Sequence, residues 1–355
     1  MLKKTLKKTM HNANEMVKVW PSSKIVEFQA KLLSWYNAEQ RTLPWRDNPS
    51  LYKTVVSEFM LQQTRVQTVL PYFDKWMKLF PDFHSLAVAD DSSVLKSWEG
   101  LGYYSRARNL HNLAKQVTGL KKIPRTRIAW MDFPGVGPYI SAAISSMAFG
   151  EAESVVDGNV IRVFSRLLND DRIFNGSADA AKKYSPIADL FLNKLHPGDH
   201  NQGLMELGAT ICLPRTPLCS LCPVNNLCQA KIGGSPERYP RIERKKLQKV
   251  IVERAFVVRD GTILFHRYPD DANRLGGLFE LPKLEDVNPV NHKELITVRR
   301  RAISNQSVEE RIFRLVPASV TLSENQYWVP KDDVAEISLS GPHRAWLIDL
   351  MANLD

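Results

Sequence analysis

The sequence predicts two unlike domains in one chain, an all-α region over 25–230 and an α+β region over 249–355. Three observations carry this reading. Apolar residues recur at helical spacing through the first part, and all four cysteines fall between positions 212 and 228. Beyond a linker at 231–248 the pattern changes to short β-prone runs. A chain of 355 residues is long for one average domain and comfortable for two. At 44% apolar and 24% charged residues it has the composition of a soluble globular protein. No apolar run reaches the length of about 18 that a membrane helix requires.

Taken in order, residues 1–24 form a basic extension, "MLKKTLKKTMHNANEMVKVW" and onward, without the continuous apolar core or small-residue cleavage site of a secretory signal. Helical spacing begins in "IVEFQAKLLSWY" (25–36), and "RTLPWRDNPS" interrupts it with two prolines. It returns from Lys53 to Phe80 through Val55, Val56, Phe59, Met60, Val66, Val69, Phe73, Met77 and Phe80. Further helices are expected at 92–98, 104–118, 139–149 and 158–168, with no strand before 230. The stretch "GGSPERYPRIERKKLQK" (233–249) is rich in Gly, Pro and charge, as linkers are. Two β-prone runs then flank Asp260-Gly261, a pair favoured in tight hairpins. Shorter β-prone pieces follow at 295–303, 311–316 and 326–329, and "HRAWLIDLM" closes the region as a helix.

The formal net charge of +10 suggests an acidic partner, with nucleic acid the foremost candidate. The cysteines are more informative. Their spacing, Cys212-x6-Cys219-x2-Cys222-x5-Cys228, can surround one metal centre, and four thiolates suit zinc or an iron–sulfur cluster equally. The intervening "LPRTP" and "CPVNN" are loop sequence that does not bury each thiol separately.

Three other segments carry chemistry. "FPGVGPY" (133–139) is a Gly- and Pro-rich turn whose backbone, at Gly135, Val136 and Gly137, can approach a phosphate closely. Lys121, Lys122, Arg125 and Arg127 precede it and could add backbone contacts. Glu58 lies within an apolar helical pattern, where a carboxyl can be held protonated and serve as an acid. Asp157 opens "DGNVIRV" in the position of a helix N-cap.

Taken together, "PWR", "SEFMLQQTRVQTVLPYF", "LKSWEGLGYYSRARNL", "FPGVGPY", "VVDGNV", "NQGLMELGATIC" and the cysteines resemble the helix-hairpin-helix base-excision glycosylases, and among them the MutY-type adenine DNA glycosylases. The likeness covers roughly 25–230. It implies a helix-hairpin-helix glycosylase domain bearing a [4Fe–4S] cluster on Cys212, Cys219, Cys222 and Cys228, in the loop 212–228. It further implies a Nudix-like domain at 249–355 that helps recognise 8-oxoguanine. By the same resemblance Glu58 is the general acid, Asp157 the essential aspartate and Asn159 an active-site asparagine. Gln62, Gln63 and Thr64 match a duplex-probing segment. Tyr103 matches an intercalating wedge, with Arg106 and Arg108 on the same surface. Relatives that also cut the strand carry a lysine where this chain has Tyr139, and a phenol forms no imine. A monofunctional enzyme is therefore expected, and an endonuclease III-like lyase is disfavoured. An inactive cluster-bearing DNA-binding module would leave Glu58 and Asp157 without a purpose.

The C-terminal region lacks the acidic metal-binding motif of Nudix hydrolysis, and Glu309-Glu310 does not make one. Where the family carries a Phe-Ser-His-like loop, the nearest segment here is Ile303-Ser304-Asn305, with Ser304 as the candidate contact to the lesion base. The implied substrate is duplex DNA with adenine opposite 8-oxoguanine or guanine. The enzyme is expected to be a cytoplasmic monomer, nucleoid-associated if bacterial, feeding enzymes that process abasic sites.

Overall fold

The structure is a computed structural model, and it describes residues 20–243, 246–272, 274–287, 293–303, 305–317, 320 and 322–352. Ser304 and almost all of the basic extension lie outside the described residues. Two compact units are present, each built from two separate stretches of chain. One comprises Met1–Phe59 and Leu120–Arg244, the other Met60–Gly119 and Lys245–Asp355.

The first unit is helical. It contains α1 (Ser22–Glu39), most of α2 (Leu51–Leu61), α7 (Arg127–Trp130), α8 (Pro138–Phe149), α9 (Gly158–Leu167), α10 (Gly176–Phe191), α11 (Pro197–Thr210) and α12 (Gln229–Ile232). Helix α1 buries Ile25, Phe28, Leu32 and Tyr36, a stripe at spacings of three and four residues. That stripe packs on α11, which also contacts α8 and α9. Phe28, Phe164 and Phe191 meet at the centre of the core, with ring centroids 5.2 to 6.3 Å apart. Within α11, Gly208 allows a close approach. A Cβ there would sit 2.5 Å from the Cβ of Asn159, so the helix bearing Asn159 lies directly against a bare backbone.

The expectation of no strand before 230 is corrected in one place. Ile173–Phe174 (β1) pairs in parallel with Arg241–Ile242 (β2), a two-residue ladder too short to leave a periodic signal. The helical stretch expected from Lys53 to Phe80 is two helices, because Gln63 takes a left-handed φ of 54° and ends α2.

The second unit joins α3 (Val66–Leu79), α4 (Phe83–Ala87), α5 (Asp91–Ser97) and α6 (Ser105–Thr118) to the C-terminal strands and α13 (Gly341–Ala352). β3 (Gln248–Phe256) runs parallel to β8 (Gln306–Leu315), and β7 (Lys293–Ile303) pairs antiparallel on the other side of β8. A second sheet holds β4 (Val258–Arg259), β5 (Thr262–Arg267), β6 (Phe279–Glu280) and β9 (Gln326–Pro330). The β4–β5 turn carries left-handed φ at both Asp260 and Gly261, the geometry that the Asp-Gly pair favours. Among the described residues no helix is long and apolar enough to cross a membrane.

Candidate active site

Glu58, Tyr139 and Asp157 come together in the first unit. Glu58 is only 6% exposed, and its Oε2 has no hydrogen-bond partner. Burial pushes its carboxyl from 4.5 up to about 7; Asp157 raises it further, while Tyr139 and the charge of Arg46 pull it down. At neutral pH a proton can therefore reside on Glu58. Two acceptors compete for the single Tyr139 hydroxyl hydrogen, Glu58 and the Met205 Sδ at 3.2 Å. An ionised Glu58 is the stronger acceptor, so the hydroxyl turns to the thioether when Glu58 is protonated. Tyr139 is a wall and a proton donor here, and burial, with Glu58 and Asp157, holds its phenol well above the ordinary value.

Asp157 caps α9, and its charge reaches both Glu58 and Tyr139. Its Oδ1 accepts the Val160 amide at 2.7 Å, and its Oδ2 accepts Asn159 Nδ2 at 2.8 Å. Burial raises its pKa, opposed by those two donors and by Arg162. The cap fixes the direction of the carboxylate, so the structural and chemical readings of this residue coincide.

Several partners of the site were not singled out from the sequence. Arg162 Nη2 donates to Asn159 Oδ1 at 2.8 Å and to Gly208 O at 2.8 Å, while its Nε donates to Cys212 O at 2.7 Å. Asp157, Asn159, Arg162 and the cysteine loop thus form one hydrogen-bonded chain. Glu206 is buried between Arg41, with contacts of 2.6 and 2.9 Å, and Arg46 at 2.9 Å. This ion pair holds Arg46 where its charge reaches Glu58. The signals available were "PWR" and "NQGLMELGATIC", but the partners lie some 160 positions apart and spacing alone does not pair them.

The four cysteines are half-buried and line one pocket with Arg166, Ile211, Pro217, Asn225, Lys231 and Pro236. Arg166 reaches the Cys212 Sγ at 3.3 Å and the carbonyls of Leu213 and Pro214 at 2.7 and 2.9 Å, which fixes the start of the loop. Burial pushes the Cys222 thiol up to about 12 and raises Cys219 and Cys228 as well. Among the described residues, no group of three His, Cys, Asp or Glu side chains is gathered as for a single metal ion. An all-sulfur donor set on one pocket suits zinc or an iron–sulfur cluster.

The turn before α8 is built as expected. Gly135 has a left-handed φ of 74°, Val136 is buried, and Gly137 occupies the N-cap with no side chain capping the helix. The uncapped first turn of α8 is electropositive and open to an anion. Arg125 and Arg127 are paired with Glu151 and Glu153 at 3.3 Å each, so their charges are partly committed within the protein.

In the second unit, the duplex-facing candidates are arranged around Arg106. This residue is 6% exposed, and burial lowers its pKa. Its Nη1 donates to Met60 O at 2.9 Å, to Gln62 O and to Thr64 Oγ1 at 3.2 Å, while its Nη2 donates to Leu101 O and Gly102 O at 3.0 Å. Arg106, expected on the DNA-facing surface, is buried here, and its guanidinium donates to protein oxygens that support two turns. One turn carries Gln62, exposed Gln63 and Thr64. The other carries Tyr103, which is 51% exposed with a left-handed φ of 48°. Arg108 likewise donates to Gly276 O at 2.7 Å.

Residues 56–184 match the HhH-GPD superfamily base excision DNA repair proteins. The adenine DNA glycosylase of Homo sapiens is 43% identical over 222 residues, a match that takes in 59% of this chain and 40% of that protein. The chain thus spans less than half of that relative's length. The adenine DNA glycosylase of Buchnera aphidicola subsp. Acyrthosiphon pisum is 30% identical over 294 residues, covering 80% of this chain and 81% of that one. A solved thermostable thymine-DNA glycosylase superposes on 60% of this chain and 98% of its own, with a TM-score of 0.53 and 29% identity. With these likenesses added to the buried acid, the capping aspartate and the Gly-rich turn, the chain belongs to the adenine DNA glycosylase family within the HhH-GPD superfamily.

Proposed function

We propose that the protein excises adenine from duplex DNA where it lies opposite 8-oxoguanine or guanine, leaving the strand uncut. The observation that carries this reading is Glu58, a buried carboxyl raised to about 7 beside a second carboxylate, Asp157, which is itself raised. Cleavage of an N-glycosidic bond needs a proton for the departing base and negative charge beside the developing sugar cation. The target nucleotide leaves the stack and enters the pocket. Glu58 then donates its proton to the adenine ring, at N7. Asp157, aimed by its cap and by Asn159, stabilises the positive charge that develops on the sugar. Water completes the hydrolysis, with the ionised Glu58 available to accept its proton.

Tyr139 favours hydrolysis without strand cleavage, because no amine stands beside the sugar at this position to form an imine. The open first turn of α8, with Gly135 and Gly137, suits a DNA phosphate. Gln63 and Tyr103 are the exposed members of the two turns that Arg106 supports, and they suit contact with the duplex around the extruded base. Cys212, Cys219, Cys222 and Cys228 would hold a [4Fe–4S] cluster, which braces the loop through Arg166. Residues 249–355, with their two sheets and closing helix, suit a Nudix-like domain directed at the base opposite adenine.

The test is incubation of the purified protein with duplexes carrying adenine opposite 8-oxoguanine, adenine opposite guanine, and oxidised thymine. Adenine release followed by scission only after alkali is the expected result. Release of the oxidised pyrimidine with immediate scission would overturn it. Iron and acid-labile sulfide, measured on the same sample, are expected near four of each per chain; stoichiometric zinc without sulfide would reject the cluster.

A further inference from the structure

The turn that carries Tyr103 is held from two sides. From the helices, Tyr72 Oη donates to Glu99 O at 2.9 Å, Trp98 Nε1 donates to Gly102 O at 3.1 Å, and Arg106 takes Leu101 O and Gly102 O. From the C-terminal region, Arg344 on α13 pairs with the Glu99 carboxylate through both Nε and Nη2, the latter at 3.1 Å. The same guanidinium donates to Ile337 O at 2.6 Å. Tyr104 Oη donates to Leu339 O at 3.0 Å and lies 3.4 Å from the Gly100 amide. Gly100, at a φ of 103°, leaves room for neither neighbour to retreat. A Cβ there would fall 2.1 Å from Tyr72 Oη, and a Cβ on Gly341 would lie 3.3 Å from Gly100 Cα. Every residue from Glu99 to Tyr104 is thus held by a hydrogen bond or a backbone contact, Tyr103 through its carbonyl, which accepts the Arg106 amide at 2.9 Å. Tyr103 itself projects from a left-handed conformation that costs roughly 1–3 kcal/mol for a side chain of its size and persists only where the surroundings impose it.

We propose that Arg344 and Glu99 form a positioning clamp through which the C-terminal region sets the Tyr103 turn, and with it the preference for the base opposite the excised adenine. The clamp rests on the reading of Tyr103 as the residue that enters the duplex. Neither Arg344 nor Glu99 touches substrate in this scheme. Their pairing is bidentate and half-buried, with side chains 22% and 12% exposed, the setting in which an Arg–carboxylate pair has directional force. Movement of α13, carrying Arg344 and flanked by Leu339, is passed to the turn through this contact.

The test compares wild type, Arg344→Ala, Arg344→Lys and the isosteric Glu99→Gln, each confirmed as folded by a cooperative melt. Hydrogen exchange of the free protein is expected to accelerate at least tenfold at the amides of Gly102 to Tyr104 in Arg344→Ala, with partial recovery in Arg344→Lys. The ratio of single-turnover excision rates for adenine opposite 8-oxoguanine and opposite guanine is expected to fall at least fivefold. That fall should be absent when Arg344→Ala is added to Tyr103→Ala, since the clamp then has nothing left to aim. Unchanged exchange in a folded Arg344→Ala overturns the clamp. Faster exchange with an unchanged rate ratio overturns its role in opposite-base preference. Should Arg344→Ala fail to fold, Glu99→Gln is read by the same criteria. If wild type releases no adenine at all, the proposed function fails, while exchange in the free protein still decides the clamp.

Discussion

Two buried glutamates in this chain meet opposite fates. Glu58 is 6% exposed, and one of its oxygens has no partner. Glu280 is fully buried, and it accepts Arg254 Nη2 at 2.8 Å, Ser340 Oγ at 2.8 Å, Tyr268 Oη at 3.1 Å and Arg301 Nη1 at 3.3 Å. Burial pushes both carboxyls up. At Glu280 the charges of His343, Arg254 and Arg301 outweigh it and hold the group well below the usual range. Burial lowers His343 itself, so the two arginines carry the positive charge at neutral pH. At Glu58 burial wins, because Arg46 is already engaged by Glu206. Residue type is the same and both are buried; direct contact with arginines, which Glu280 has and shares with Glu310, decides whether a carboxyl is a structural anion or a proton donor.

The contrast breaks most sharply at Glu58→Gln. The amide keeps shape but carries no transferable proton, so single-turnover adenine excision is expected to fall at least 10³-fold. Full activity would remove Glu58 from its role as acid. The same substitution is expected to stabilise the fold at pH 8. Once ionised, a carboxyl moved from 4.5 to about 7 costs the folded state roughly 3 kcal/mol, which glutamine does not incur.

Glu280→Gln should do the reverse. Arg254 and Arg301 share two buried anions, Glu280 and Glu310, and removing one leaves two arginines against a single carboxylate, with an expected loss of about 3–5 kcal/mol in denaturant unfolding of the C-terminal region. Excision by the folded fraction should change little. Equal losses of activity and stability in both variants would erase the distinction.

A smaller and more gradual effect is in the pH dependence of stability. Glu58 has a raised folded value, so its contribution is most favourable below 4.5 and worsens as pH rises to about 7, then stays level. Glu280 has a lowered one, so its contribution is present above the ordinary carboxyl range and is lost as pH falls through the folded value. Subtracting the stability–pH curves of Glu58→Gln and Glu280→Gln from wild type should give slopes of opposite sign. Slopes of the same sign would show that one of the two environments is misread.

Much of the fold was legible where the signal is local. The apolar stripe of α1, the Asp260-Gly261 hairpin and the helices at Asp91–Ser97, Ser105–Thr118, Pro138–Phe149 and Gly158–Leu167 each depend on neighbours within a few positions. Glu58 and Asp157 could be singled out because each stands beside an apolar helical pattern. What escaped notice is what the chain assembles across distance. Glu206 meets Arg41 and Arg46, and Glu280 meets Arg254 and Arg301, through folding that no spacing encodes. The burial of Arg106 was not legible for a related reason. In sequence it is one arginine of an ordinary "SRAR", and only the surrounding carbonyls show that it faces inward.

The second unit has a consequence for how the protein is made. Helices α3 to α6 leave the ribosome long before Arg344, Leu339 and Gly341, which meet their Glu99–Tyr104 turn. At about 5–20 residues per second, that turn waits tens of seconds for its counterpart, while the whole of 120–244 is translated in between. Glu99 and Tyr104 spend this interval without the groups that later cover them. The order in which translation delivers the chain runs against the order in which this unit closes, and its early helices are finished only by its final one.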